Sequence, residues 1–189
     1  MTPLTPAVCF LALAAAMLSQ WIPTDRDWDK AAKEIRRLPP SAFPQLPAAV
    51  ASELDRRRCT IPQAAGERGP HNVIQGGFTR KGQLGWAVLC SRDGESSILV
   101  FRGSSTEGVS ELAKRPDTTW LQAVGDGKIG YSRMISPVDG PGIVGYQEAF
   151  GGPKPPPIDH QGIEDHFLGK ASVIFYYYRG SWLELSGAD

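Results

Sequence analysis

A chain of 189 residues with 41% apolar and 21% charged side chains is long enough for one domain with a buried core, and it has neither the polarity of a disordered chain nor the apolar excess of a membrane bundle. Lys plus Arg equals Asp plus Glu at 20 each, so no strong field exists to gather phosphate backbones, and nucleic acid is not an expected partner. With 16 Pro and 21 Gly, turns and irregular connections are expected to outweigh long helices.

The chain opens on a different composition. Ala7 to Leu18 is an unbroken apolar run of 12 residues, and no charge precedes Asp25. As a helix it would reach only about 18 Å against roughly 30 Å of bilayer hydrocarbon, which is signal h-region length rather than a span. Residues 1–22 are therefore read as a signal segment, with Ala14, Ala16 and Ser19 offering small residues for cleavage. The alternative is an uncleaved anchor or a buried helix, since no Lys or Arg marks the start. Cleavage leaves a secreted or periplasmic protein with no stable membrane span. It also removes Cys9, and the two cysteines that remain, Cys59 and Cys90, are expected to pair in an oxidising compartment.

Residues 23–58 are expected to be helical. Trp28, Ala31, Ala32, Ile35 and Leu38 recur at helical spacing until Pro39-Pro40, and Leu46, Val50 and Leu54 mark a second helix. Arg56-Arg57-Arg58 then fall in a last turn, where cations suit the helix dipole, and six acidic residues between Asp25 and Asp55 nearly balance them.

Residues 59–189 form the remaining, disulfide-linked unit. Asn72 to Gly76, Gly85 to Ser91 and Ser96 to Arg102 read as strands, and Asp93-Gly94 makes a hairpin of the last two. Glu107 to Arg115 reads as a short helix ended by Pro116. Thr118 to Val124 and Lys128 to Ile135 read as a second hairpin about Gly125-Asp126-Gly127. Gly142 to Phe150 is read as a helix that Gly142 and Gly145 weaken, and Pro153 to Pro157 as a polyproline spacer. Asp159 is expected to cap a short helix carrying Ile163, Phe167 and Leu168, and Ala171 to Tyr178 with Trp182 to Leu185 to close the chain as a hairpin. The fold class is α+β: an antiparallel sheet built from hairpins with short helices packed on it, one disulfide and N-terminal helices.

Residues 76–101, GGFTRKGQLGWAVLCSRDGESSILVF, resemble a single hairpin of the FG-GAP or VCBS type, in which a Phe after Gly leads into a loop and two apolar strands. In those families the loop carries Asp residues that hold calcium; here it is Thr79-Arg-Lys-Gly-Gln83, without a carboxylate, so no calcium is carried over. CTIPQ at 59–63, AVLCSRDGESSILVF and the closing RGSWLELSGAD also resemble uncharacterised exported bacterial proteins, a resemblance that implies a location and no activity.

Two constellations bear on function. His160, Glu164, Asp165 and His166 are the densest ionisable cluster, and on a helix His160 and Glu164 would share a face, so a metal-assisted hydrolase could recruit them with His71. His160 and His166 would stand about 240° apart on that helix, and the alternative is a cap followed by a solvated face, with no metal and no cofactor. No Gly-x-Ser-x-Gly motif occurs, and nothing in the sequence links a histidine to a serine. The second constellation is aromatic. Phe175 and Tyr177 are expected to face the core, leaving Tyr176, Tyr178 and Trp182 outward to stack on a ligand. The leading expectation is thus a non-catalytic extracytoplasmic domain that binds a protein or an envelope polymer. The other readings are the hydrolase and a structural subunit of an envelope assembly that docks through the N-terminal helices.

Overall fold

The structure, a computed structural model, describes residues 21–188; the expected signal segment lies almost wholly outside them. Among the described residues, three helices and twelve strands form four sheets in which every strand pairing is antiparallel, an α+β fold.

Helix α1 spans Asp25–Lys33, with the Thr24 N–H donating to Asp27 Oδ2 at 2.8 Å to secure its first turn. It stops well before Leu38. Arg37–Leu38 is instead a two-residue strand, β1, paired with β2, Ile61–Pro62. The residue ahead of a proline is pushed toward extended backbone, and the Arg37 side chain is drawn 2.7 Å from Asp117 Oδ2, so the helix cannot continue. Helix α2, Ala48–Arg56, buries Val50 and Leu54 completely. Its arginines Arg56 and Arg57 both pair with Glu53, whose carboxyl they hold down at about 2.

Strands β3 (Val73–Gly76), β4 (Gly85–Arg92), β5 (Glu95–Phe101) and β6 (Ser110–Pro116) make one four-stranded meander. Asp93 and Gly94 both have positive φ in the β4–β5 turn, the backbone that matches the twist of a two-residue hairpin. The segment expected to be helical at Glu107 to Arg115 is strand β6. Ile98 faces Leu112 and Val100 faces Ser110, and pairing the open edge of β5 outweighs the local helix preference of Glu-Leu-Ala-Lys. A small hairpin follows, β7 (Leu121–Gly125) and β8 (Lys128–Tyr131).

The second large sheet has the order β12-β11-β10-β9, from β9 (Arg133–Val138), β10 (Gly162–Phe167), β11 (Ala171–Tyr178) and β12 (Ser181–Ser186). The helix expected from Asp159 onward is therefore strand β10, in the middle of this sheet. Ile163 and Phe167, four apart, fit a helix face, but Ile163, Asp165 and Phe167 fit a strand face equally well, and two partner strands decide it. Gly162 is needed for this: a Cβ there would sit 2.9 Å from Ile174 Cγ2 and 3.2 Å from the Phe175 carbonyl.

Three cores stack these layers. Ala87, Leu89, Ile98 and Val100 of the first sheet meet Ile135, Ile163 and Phe175 of the second, a β-sandwich closed at one end by Ala31 and Ile35. The outer face of the first sheet, with Val88, Cys90 and Leu99, is covered by Phe43, Leu46, Val50 and Leu54. The outer face of the second, with Val138, Ile174, Tyr176 and Leu185, is covered by Ile143 of helix α3, Gly140–Phe150. Residues 23–58 thus bury Ala31, Ile35, Phe43, Leu46, Val50 and Leu54 in the same cores as the rest of the chain.

Cys59, just beyond α2, is bonded to Cys90 in β4 with their Cα atoms 5.1 Å apart. The bridge anchors the helical layer to the first sheet across a sequence separation of 31. Closing a loop of that size stabilises the fold by about 3.5 kcal/mol on the chain-entropy relation. Thiol titration of the unfolded, unreduced protein is expected to find no free thiol at Cys59 or Cys90, and Cys59→Ala/Cys90→Ala should lower the unfolding free energy by about that amount in urea.

Candidate functional site

The four polar residues of the 159–166 cluster do not converge, because a strand sends alternate side chains to opposite faces. Asp165 points into the sandwich and receives a two-pronged ion pair from Arg133, Nε to Oδ1 at 2.9 Å and Nη2 to Oδ2 at 2.8 Å. Glu164 and His166 point the other way, toward the α3 layer. The buried side chain of His160 lies before the strand with its ring stacked on Tyr176, centroids 4.4 Å apart. His71 is on the loop that precedes β3. Its Nε2 accepts the Ala64 N–H at 2.7 Å, which leaves Nδ1 to donate to the Gly69 carbonyl at 3.2 Å. Among the described residues no three His, Cys, Asp or Glu side chains come together to hold a metal ion.

The aromatic strand also departs from expectation. Phe175 is buried in the sandwich, but Tyr176 is buried as well, with none of its surface exposed. The expectation of an outward Tyr176 assumed that one face of the sheet is wet, whereas here both faces are covered. The Tyr176 hydroxyl accepts the Asp159 N–H at 3.1 Å, and burial pushes its phenol above the ordinary range. Only where β11 runs out, at Tyr177 and Tyr178, do rings reach solvent. Trp182 is the cross-strand neighbour of Tyr177 and packs edge-on against it, centroids 5.3 Å apart. It is half-buried and stiffens the platform.

Around this strand end the chain builds a groove of about 330 Å³, lined by Thr79 and Arg80 of the β3–β4 loop, Pro157, Asp159 and His160, and Tyr177 to Gly180 of the β11–β12 turn. Arg179 and Gly180 both have positive φ, the geometry of another tight two-residue hairpin. The Arg179 guanidinium lies 5.2 Å from the Tyr178 ring centroid. Arg102, where β5 ends, donates from Nη2 to the Tyr177 hydroxyl at 3.0 Å and lies 5.3 Å from that ring. Gln161 fixes the β3–β4 loop against this end: its Oε1 accepts the Gly77 N–H, and its own N–H donates to the Gly77 carbonyl, both at 3.0 Å. A second groove of about 370 Å³, with Lys81, Asp139 and Ile158 in its lining, adjoins the first through Asp159 and His160.

The site is thus an aromatic platform with cationic edges, supplied by Arg80, Lys81, Arg102 and Arg179 and partly offset by Asp159 and Asp139. Of the residues expected to face outward, Tyr178 lines this groove, Trp182 packs against Tyr177 without lining it and Tyr176 is buried; Tyr177, expected in the core, and the four cations were not among them. Arg102 and Arg179 each directly follow a strand, which was the available signal, although nothing in the sequence placed the two strand ends side by side. A comparison with known protein families, curated proteins and solved structures finds no match to this chain.

The corrected faces have a measurable consequence. Phe175→Ala and Tyr176→Ala should each cost about 3–5 kcal/mol, because both empty a packed core, while Tyr178→Ala at the strand end should cost under about 1 kcal/mol. Chemical denaturation of the three variants checks this. A Tyr176→Ala protein as stable as the parent would return that ring to the surface.

Proposed function

We propose that this protein is an extracytoplasmic binding domain whose β11–β12 end grips an anionic envelope polymer built of sugar rings. The observation that carries the reading is a guanidinium beside each partly exposed ring at the end of β11, Arg102 by Tyr177 and Arg179 by Tyr178, with both rings and Arg179 lining one groove. Aromatic faces pack against sugar rings, and a guanidinium fork recognises carboxylate, sulfate or phosphate in two-pronged fashion. The groove is open to solvent, which suits a segment of a longer chain. Two adjoining grooves give room for several residues of polymer.

Extracytoplasmic placement draws support from two independent features. The apolar run Ala7 to Leu18 has signal length, and the Cys59–Cys90 bond belongs to an oxidising compartment. No helix among the described residues is long and apolar enough to cross a membrane.

Binding to a uronic-acid polymer, polygalacturonate, should be measurable by calorimetry and should weaken as salt is raised, while neutral dextran should bind far less. Tyr178→Ala and Arg179→Ser should each weaken binding by about tenfold with little change in melting temperature. Equal binding of dextran and polygalacturonate, or parent-like affinity in both variants, would refute this assignment of the site.

A further inference from the structure

The face of the second sheet that looks toward α3 carries an arrangement that polymer binding does not use. Glu164 and His166 are two residues apart on β10 and share this face, and Ser136 on β9 stands directly opposite Glu164. The Ser136 hydroxyl lies 2.8 Å from His166 Nε2, and His166 Nδ1 lies 3.5 Å from Glu164 Oε1. Serine hydroxyl, one imidazole nitrogen, the other imidazole nitrogen and a carboxylate therefore follow one another in a line.

The far end of that line is held in place. Glu164 is buried, and its Oε1 accepts the Ser172 hydroxyl at 2.7 Å while Ser172 Oγ accepts the Ala188 N–H at 2.7 Å. The near end is open: Ser136 and the His166 ring both keep part of their surface in solvent. A nucleophile within reach of a base, with the base oriented by a third, fixed group, is the arrangement that activates a serine, and it is recognised by roles rather than by a sequence motif.

We infer that Ser136, His166 and Glu164 form a nucleophile, base and orienting carboxylate that hydrolyse carboxylic esters. Ser136 Oγ attacks the ester carbonyl as its proton passes to His166 Nε2, and an Oγ–C bond forms. The bond from carbonyl carbon to the alcohol oxygen then breaks, and the departing oxygen takes the proton from Nε2. Water then attacks the acyl-serine carbonyl and gives its proton to Nε2, the Oγ–C bond breaks, and Ser136 Oγ takes that proton back as the acid leaves, so that ester and water become acid and alcohol. Glu164 is a positioning residue that acts through His166. Ser136 and His166 lie at the partly exposed margin of the face that α3 covers, and the Tyr146 and Phe150 rings, centroids 6.2 Å apart, stand on that helix, Tyr146 beside Glu164 and Phe150 half exposed. This suits short acyl groups carried on a larger molecule.

The test treats purified protein with a fluorophosphonate and follows p-nitrophenyl acetate hydrolysis. A single adduct on Ser136 is expected by peptide mass spectrometry. Ser136→Ala, melting within a few degrees of the parent, should lose the adduct and at least about 100-fold in hydrolysis, and His166→Gln should behave alike. Glu164→Gln should lower kcat by about tenfold with KM and melting temperature little changed, a split that a purely structural role would not produce. Absence of an adduct on the folded parent, or hydrolysis that Ser136→Ala leaves intact, would overturn the inference. Polymer binding, measured separately, should survive in Ser136→Ala.

Discussion

The fold turns on a single buried guanidinium. Arg133 has no exposed surface, and all five of its N–H donors are used: two on Asp165, two on the carbonyl and hydroxyl of Ser96 at 3.0 Å, and one on the Ala113 carbonyl at 2.9 Å. Trp120 covers it, 4.3 Å from ring centroid to guanidinium. Removing a charge of this kind from water costs several kcal/mol, and the cost is met only when every donor and both carboxylate oxygens are satisfied. Arg133 and Asp165 belong to the second sheet and Ser96 and Ala113 to the first, so satisfying the pair requires the two sheets to close on each other. Asn72 makes a second tie of the same kind at the sheet edge, accepting from the Ile135 N–H at 3.0 Å and donating to the Arg133 carbonyl at 3.2 Å.

The candidate sites follow from that closure. Once Asp165 is committed to the sandwich, Ile163 and Phe167 must follow it, and Glu164 and His166 must face α3. The same register sets Glu164 opposite Ser136 and brings His166 within reach of its hydroxyl. With both faces of β11 covered by other layers, the strand presents rings to solvent only at its end, beside the β3–β4 loop and the end of β5. A groove at the strand ends and a polar line on the α3 face are therefore two results of one packing arrangement.

The sequence made some of this legible and hid the rest for identifiable reasons. Hairpins announced themselves through local chemistry: Asp93-Gly94 and Arg179-Gly180 supply the backbone their turns require, and the apolar runs beside them have strand composition. The cysteine pairing followed from a count. The segments around Leu112 and Ile163 were misread because a short polar stretch with apolar residues four apart satisfies helix and strand alike, and only partners distant in the chain decide between them. Tyr176 was placed outward because alternation tells which residues share a face but not whether a second layer covers that face. The 2.8 Å contact of Ser136 with His166 joins residues 30 apart and depends on strand register, so no local pattern could carry it. Arg133 was hidden for a related reason, since an arginine at a strand start reads as a surface residue until its partners are known.

A double-mutant cycle on Arg133→Met and Asp165→Leu, read by urea denaturation, tests the dependence of the fold on this pair most directly. Each single change should cost about 3–5 kcal/mol by stranding a buried charge, and the double variant should cost clearly less than their sum. Single variants that lose under about 1 kcal/mol, or losses that simply add, would contradict the account.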